Sequence, residues 1–188
     1  MKRFALFLAL AGLSVAAHAD DAAPYYVGVG IGHVSVDRGS LSLSGTQNGY
    51  INGTDTAESI FAGYEFDQNF GIEVGYHDYG KPTATRQSGF TLTQCPVSFS
   101  CPKVGGVTVE GLGRMELVPD LEGILRLGVL SWNVGSPGRS FLSETSGTAF
   151  IYGLGVRHHF DYGLSLDITY ERSNVTTEET RVGLSYSF

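Results

Sequence analysis

The chain has 188 residues, 42% of them hydrophobic and 16% charged, and a formal net charge of −7. So large an apolar fraction excludes an intrinsically disordered chain, and the excess of acidic residues argues against a partner such as nucleic acid. With 26 glycines and two cysteines, the sequence indicates one folded domain rather than a miniprotein built on disulfides.

Residues 1–19 predict a secretory signal peptide. Lys2 and Arg3 supply a positive start, residues 4–16 are mostly apolar, and small residues precede the expected cleavage before Asp20. We therefore expect a signal peptide at 1–19 and a mature domain at 20–188, with an uncleaved amphipathic anchor as the alternative. After residue 19 no apolar run is long enough for a membrane-spanning helix.

From residue 25 onward, apolar residues alternate with small or polar ones, which is typical of β-strands. In the first strand, for example, Val27 and Val29 alternate with Gly28 and Gly30. The fourth strand is the least regular, because glycines fall on its apolar parity. The eight predicted strands lie at 25–33, 59–66, 70–77, 107–117, 124–130, 151–157, 164–171 and 181–188.

The connections between these strands alternate in length. Short turns are predicted at 67–69, 118–121 and 161–163, and a further brief connection at 173–177. Long polar loops are predicted at 37–57, 81–103 and 133–148. Short turns on one rim and long loops on the other are typical of an up-and-down outer-membrane barrel, with its turns in the periplasm. The predicted fold class is thus an all-β transmembrane antiparallel barrel of about eight strands.

The composition of the two strand faces decides which face is turned to lipid. A lipocalin-like soluble barrel would place its apolar face inside. Here the opposite face carries Gly, Ser, Thr and charged residues, which cannot form an apolar interior, so we expect the apolar rows to face lipid. Aromatic residues near the strand ends fit interfacial girdles. They are Tyr25, Tyr64, Phe66, Phe70, Tyr76, Phe150, Tyr152, Phe160, Tyr170, Tyr186 and Phe188.

Several segments also resemble the OmpA-like outer-membrane barrel family. The hairpin at 63–76, the segment at 125–128 with Trp132, and the segment at 152–156 carry this resemblance. The last five residues, 184–188, look like the Phe-ended signal by which such barrels are recognised. The resemblance implies that the barrel assembly machinery is a partner. The residues of that assembly signal are Leu184, Tyr186 and Phe188.

An eight-stranded barrel is just wide enough to be filled by its own side chains. Charged residues on the inward parity therefore predict an interior ion-pair network with trapped water. Its expected members are Glu65, Glu73, Glu110, Arg126, Arg157, Asp167, Glu171 and Arg181, and Arg114 and Glu116 are further candidates.

The family resemblance implies a gating pair between a Glu on the third strand and an Arg on the seventh. Here the third strand carries Glu73, but the corresponding seventh-strand residue is Asp167. We therefore expect Arg157 or Arg126 to partner the acids.

The remaining motifs predict structure rather than chemistry. Cys95 and Cys101 are expected to form a disulfide within one long loop. The spacing of Gly28, Gly30 and Gly32 is not a dinucleotide fingerprint. His33, His77, His158 and His159 are scattered over different strands and are expected at the surface or the membrane interface. No cofactor, metal site or catalytic residue is predicted.

The expected function is that of an integral outer-membrane barrel with a plugged lumen, which supports envelope integrity and presents loops for surface binding or adhesion. The expected partners are outer-membrane lipid and lipopolysaccharide, and a host-surface ligand through the loops. One alternative is a lipid A deacylase, weakened because the residue two positions before Ser173 is Glu171 rather than His. Another is a minor pore for small solutes.

Overall fold

The computed structural model describes residues 24–43, 47–80, 84–86, 103–135, 146–174 and 177–188. The predicted signal peptide, Cys95 and Cys101 lie outside these residues. The strands are β1 (Tyr25–Leu43), β2 (Gln47–Glu65), β3 (Phe70–Asp78), β4 (Ala84–Arg86), β5 (Lys103–Val118), β6 (Leu121–Gly135), β7 (Ser146–His159), β8 (Leu164–Ser173) and β9 (Thr177–Ser187).

Eight of these strands form a closed antiparallel barrel. The order of neighbours is β1-β9-β8-β7-β6-β5-β3-β2, and pairing of β1 with β2 closes the ring. The short strand β4 pairs only with residues 49–51 of β2. The predicted fourth to eighth strands therefore correspond to β5–β9, and the predicted fold class is confirmed. No helix among the described residues is long and apolar enough to cross a membrane.

Closure of the sheet gives every strand one outward and one inward face. Along β8, exposed and buried residues alternate from Leu164 to Ser173. Ile168 is 49% exposed on the outer face, whereas the neighbouring Asp167 is fully buried in the lumen. The apolar rows thus lie outside and the ionic rows inside, because alternate side chains of a strand point to opposite faces.

The three predicted short turns are confirmed, and they lie together at one end of the barrel, which we call the turn end. In the β2–β3 turn, Asp67 Oδ1 accepts hydrogen bonds from the backbone N–H groups of Asn69 and Phe70, at 2.7 and 2.8 Å. In the β7–β8 turn, Tyr162 and Gly163 both have a positive φ, of 65° and 75°. These local contacts fix the tight reversals.

At the opposite end, which we call the loop end, the strands run further than the sequence predicts. The predicted loop 37–57 is wrong for most of its length, because β1 continues to residue 43 and β2 begins at residue 47. Asn, Ser and Thr residues hid this extension, since their backbones pair while their side chains break the apolar alternation. The predicted loop 81–103 likewise contains β4.

Inward glycines in β1 and β2 make room for large inward rings. An added Cβ on Gly63 would lie 2.1 Å from the Tyr26 ring, and one on Gly28 would lie 2.3 Å from Phe61. No real Cβ approaches a ring carbon that closely. These glycines therefore allow two aromatic rings to pack inside a narrow barrel.

The least regular predicted strand, 107–117, is present as β5. Glu110, Leu112 and Arg114 are buried on its inward face, whereas Glu116 is exposed beyond the lumen. The outward Gly111 has only one atom near an added Cβ, at 3.8 Å. The irregular composition thus reflects glycines on the outer surface and one leucine inside.

Candidate functional site in the barrel lumen

The lumen contains two groups of charged side chains and two groups of apolar ones. We call the first group the central charge cluster; it consists of Glu73, Glu110, Glu171, Glu179, Arg126, Arg181 and His77. The second, the turn-side charge cluster, consists of Glu65, Glu122, Asp167, Arg114, Arg157 and His159. All the charged residues expected in the interior belong to one of these clusters except Glu116.

Glu73 is the most completely paired acid of the central charge cluster. Its Oε1 contacts Arg126 Nη2, and its Oε2 accepts a hydrogen bond of 2.8 Å from the Tyr26 hydroxyl. Arg181 Nη2 lies 3.7 Å from the same Oε1. Since both oxygens have donors, the geometry suits an ionised carboxylate.

Arg126 also holds two further acids, one from each side of the lumen. Its Nε donates to Glu110 Oε2 at 2.8 Å, and Glu171 Oε1 lies 3.0 Å from the same nitrogen. Glu171 Oε1 is 3.4 Å from Arg181 Nη2 as well. Three carboxylates from β3, β5 and β8 therefore surround one guanidinium.

His77 lies in the same cluster, so its expected place at the surface or interface is wrong. The imidazole is fully buried, with Nδ1 3.3 Å from Glu179 Oε2 and Nε2 3.3 Å from Thr108 Oγ1. His77 follows Glu73 and Gly75 on the inward parity of β3, and this parity points it into the lumen. By contrast, His33 and His158 are exposed.

The turn-side charge cluster is anchored to the chain reversal between β2 and β3. Arg114 Nη1 lies 2.6 Å from Glu65 Oε1, and Arg114 Nη2 donates to the Asp67 carbonyl at 2.5 Å. Glu122 Oε2 is 3.9 Å from Arg114 Nη1. The Glu65 side chain remains 22% exposed, so this cluster is in contact with solvent at the turn end.

Arg157 connects the turn-side charge cluster to the aromatic rings deeper in the lumen. Its guanidinium lies 3.8 Å from both Glu65 and Glu122, 4.0 Å from Asp167, and 5.0 Å from the centroid of the Tyr26 ring. Asp167 is fully buried, yet neither of its oxygens accepts a hydrogen bond from any residue that the structure describes. Long separations and unsatisfied atoms of this kind call for bridging water in the lumen.

The family resemblance implies a gating pair of one Glu and one Arg. In this barrel the two candidate arginines, Arg126 and Arg157, lie beside the following acids. Arg126, on the strand predicted as the fifth, lies beside Glu73. Arg157, on the strand predicted as the sixth, lies beside Asp167 and the acids of the turn end. Each of the two named arginines thus contacts a different group of acids.

Two clusters of buried apolar side chains also lie in the lumen. A loop-side apolar cluster lies above the charges, and a turn-side apolar cluster lies between the charged groups. The loop-side apolar cluster comprises Val34, Ala57, Tyr79, Leu130, Ala149 and Ile151, against which Val104 and Trp132 pack. The turn-side apolar cluster comprises Tyr26, Phe61, Leu112 and Ile124.

The sequence interpretation missed several interior residues, among them Glu122, Glu179, His77 and Tyr26. Glu122 and Glu179 lie two residues before Ile124 and Arg181, so extending the inward parity by one step would have found both. Parity also places His77 and Tyr26 inside. What the sequence does not show is that glycine leaves room for the Tyr26 ring and that Glu179 faces His77.

Two serines and His159 make polar contacts near the strand ends. Ser173 Oγ accepts the backbone N–H of Thr177 at 3.0 Å. His159 lies between Ser165 Oγ, at 3.0 Å, and Glu122 Oε1, at 3.3 Å, but Ser165 is only 3% exposed. Within the described ranges, no group of His, Cys, Asp and Glu could hold a metal ion.

The sequence and the fold both have relatives among known proteins. The sequence matches the family described as the outer membrane protein beta-barrel domain over residues 5–188. The chain belongs to this family. Membership makes it an outer-membrane β-barrel protein of bacteria, surrounded by lipid. No curated protein matches the chain in sequence.

Solved structures share this fold at low identity. Neisserial surface protein A is 18% identical with a TM-score of 0.60, covering 90% of this chain and 100% of its own. The N-terminal barrel of OprF from Pseudomonas aeruginosa is 9% identical with a TM-score of 0.56, covering 89% and 100%. Ail, the attachment invasion locus protein of Yersinia pestis, in complex with the heparin analogue sucrose octasulfate, is 16% identical with a TM-score of 0.51, covering 89% and 100%.

Proposed function

We propose that this outer-membrane barrel has a closed lumen, supports the integrity of the envelope, and presents its long loops outside for surface binding or adhesion. The observation that carries the closed lumen is the filling of the interior by two charge clusters and two apolar clusters. Ion pairs between side chains of different strands, such as Arg126 with Glu73 and Glu171, lie in this interior and support the proposal.

Single-channel recording of the purified full chain in a planar lipid bilayer tests the closed lumen. We expect no stable large conductance, because a solute would have to separate buried ion pairs. A matched variant, Arg126→Ala, removes the guanidinium at the centre and should raise the frequency of openings. A steady large conductance of the unaltered protein would contradict the proposal and favour the pore alternative.

The adhesion role rests on the asymmetry of the two barrel ends. Tight turns occupy one end, whereas β1 and β2 form a hairpin of 19-residue strands that extends past β9 at the other. Ail, which is similar in fold, is an attachment protein by name. We place the loop end outside the cell, with a host-surface ligand as its partner.

Loop replacement tests this role directly. Exchanging residues 87–102 or 136–145 for short Asn-Gly turns should abolish adherence to host cells while the barrel still shows its heat-dependent gel mobility. Unchanged adherence of both folded variants would refute the loop role.

The proposal further includes cleavage of the signal peptide before Asp20, lipopolysaccharide contact at the outer rim, a Cys95–Cys101 disulfide, and recognition of Leu184, Tyr186 and Phe188 by the assembly machinery.

A further inference from the structure

The outer surface of the barrel has different charges at its two ends. Among the outward side chains that the structure describes, Lys and Arg occur only towards the loop end, as Lys103 on β5 and Arg172 on β8. At the turn end, the outward face of the same two strands carries exposed apolar residues, such as Leu117 and Leu164. An anionic lipid headgroup therefore has a partner for its charge near the loop end of these strands.

The spacing along β8 places Arg172 near the edge of the lipid-facing band. The outward residues before it are Leu164, Leu166, Ile168 and Tyr170. Arg172 follows Leu164 by eight positions, which on a strand tilted by about 40° amounts to roughly 20 Å of height. The apolar band of such a barrel is about 25 Å tall, so Arg172 lies close to the level where headgroups begin.

Arg172 is held on one side only. Its cross-strand neighbours are Tyr152 on β7 and Glu178 on β9. Arg172 Nε lies 3.5 Å from Glu178 Oε1, and both side chains are nearly half exposed. The Tyr170 hydroxyl is hydrogen-bonded to Glu178 as well. Glu178 is thus fixed by two neighbours, whereas Arg172 Nη1 and Nη2 have no ion-pair partner within the described ranges and can donate to a phosphate.

Aromatic rings adjoin this ion pair on the same outer face. Tyr152 and Tyr170 are exposed there, and the Phe150 ring lies 6.3 Å from the Tyr152 ring, centroid to centroid. The patch therefore offers a cation for a phosphate, a carboxylate that accepts hydroxyl groups, and apolar rings for C–H groups. This combination suits a phosphorylated sugar that is joined to acyl chains.

We propose that Arg172, Glu178 and the ring of Tyr152 form a binding site for the phosphorylated sugar headgroup of an outer-leaflet glycolipid, lipid A. Arg172 donates to the phosphate, Glu178 accepts hydrogen bonds from sugar hydroxyls, and the Tyr152 ring packs against the sugar. The inference rests on the lipopolysaccharide contact proposed above and assigns it to one place on the rim. The site lies outside the lumen, so it is independent of whether the lumen is closed.

Native mass spectrometry of the full chain in detergent micelles, titrated with lipid A, tests this site. We expect Arg172→Ala to bind lipid A about tenfold more weakly than the unaltered protein, because charge-assisted hydrogen bonds to the phosphate are lost. Arg172→Lys should fall between the two, since an ammonium group cannot bind a phosphate through a planar fork. His158→Ala is the matched control, because it alters an exposed outward residue near the turn end and should leave binding unchanged.

Two further lipids identify the headgroup. Phosphatidylglycerol, which has a phosphate but no sugar ring, should bind the unaltered protein more weakly than lipid A does. Dephosphorylated lipid A should bind the unaltered protein as weakly as intact lipid A binds Arg172→Ala. Equal binding of lipid A by the unaltered protein and by Arg172→Ala would overturn this site and leave the contact elsewhere on the rim. Failure of the unaltered protein to bind lipid A would contradict both the site and the contact.

Discussion

The central and turn-side charge clusters use the same chemistry in different surroundings. In the central charge cluster, Arg126 and Glu73 are each about 1% exposed, and apolar clusters lie on both sides of it. In the turn-side charge cluster, the Glu65 and His159 side chains are 22% and 40% exposed. Solvent screens charges at the turn end but not at the centre, so equal distances do not mean equal energies.

The largest effect is expected from removing the central guanidinium. Arg126→Ala leaves Glu73, Glu110 and Glu171 without their shared partner and should destabilise the barrel by about 3–5 kcal/mol. Urea unfolding in lipid vesicles, followed by the fluorescence of the single Trp132, measures this change. A loss below about 1 kcal/mol would show that water stabilises the unpaired acids of the central charge cluster as well as it stabilises those of the turn-side charge cluster.

A smaller loss is expected from adding one methyl group beside an interior ring. Gly63→Ala would place a Cβ within 2.1 Å of the Tyr26 ring and should cost about 1–3 kcal/mol through forced repacking. Gly111→Ala is the matched control, since it adds the same group to the outer face, in open space. The same urea titration compares the two, and equal losses would argue against a packed lumen.

The hydroxyl of Tyr26 tests a single hydrogen bond at the centre. Tyr26→Phe keeps the ring beneath Arg157 but removes the donor to Glu73 Oε2. We expect a loss of about 1–2 kcal/mol, because a buried acceptor is left without its partner. Tyr186→Phe, which alters an exposed ring on the outer face, should leave the urea midpoint unchanged. If Tyr26→Phe left the urea midpoint unchanged, water would have replaced the Tyr26 hydroxyl as the donor to Glu73 Oε2.

The smallest effects belong to the exposed ion pairs. Glu65→Gln at the turn end should cost about 1 kcal/mol or less, since Arg114 keeps its bond to the Asp67 carbonyl. On the outer surface, Arg172 lies 3.5 Å from Glu178 with both side chains nearly half exposed. Arg172→Ala should change stability by less than Glu65→Gln does. A larger loss of stability for Arg172→Ala than for Glu65→Gln would show that enclosed and solvent-screened ion pairs do not differ in this way.

The barrel itself could be predicted from the sequence because two-residue alternation marks at least part of most strands that form it. The inward acids and arginines follow from the same parity, as Glu73 and Arg126 illustrate. Partners across the lumen could not be predicted, since they depend on how far each strand is shifted against the next. That shift places Arg126 between acids of β3, β5 and β8.

Two other features depend on information that parity does not contain. The extension of β1 and β2 beyond the barrel contains a register shift between Asp37 and Gly39 and mixes polar residues with Leu41, Leu43 and Ile51, so it carries no continuous apolar alternation. The partner of His77 depends on Glu179 lying opposite, on a strand that is distant in sequence. Parity alone places His77 inside, and the surface expectation was wrong because it was based on residue type instead.

The central claim is that apolar rows face lipid while ionic rows face the lumen. Quenching of tryptophan by brominated lipid acyl chains tests it most directly. In a Trp132→Phe background, tryptophan introduced in place of the outward Ile168 should be strongly quenched, whereas tryptophan in place of the inward Tyr26 should not. Equal quenching at both positions, or stronger quenching at residue 26, would contradict this orientation.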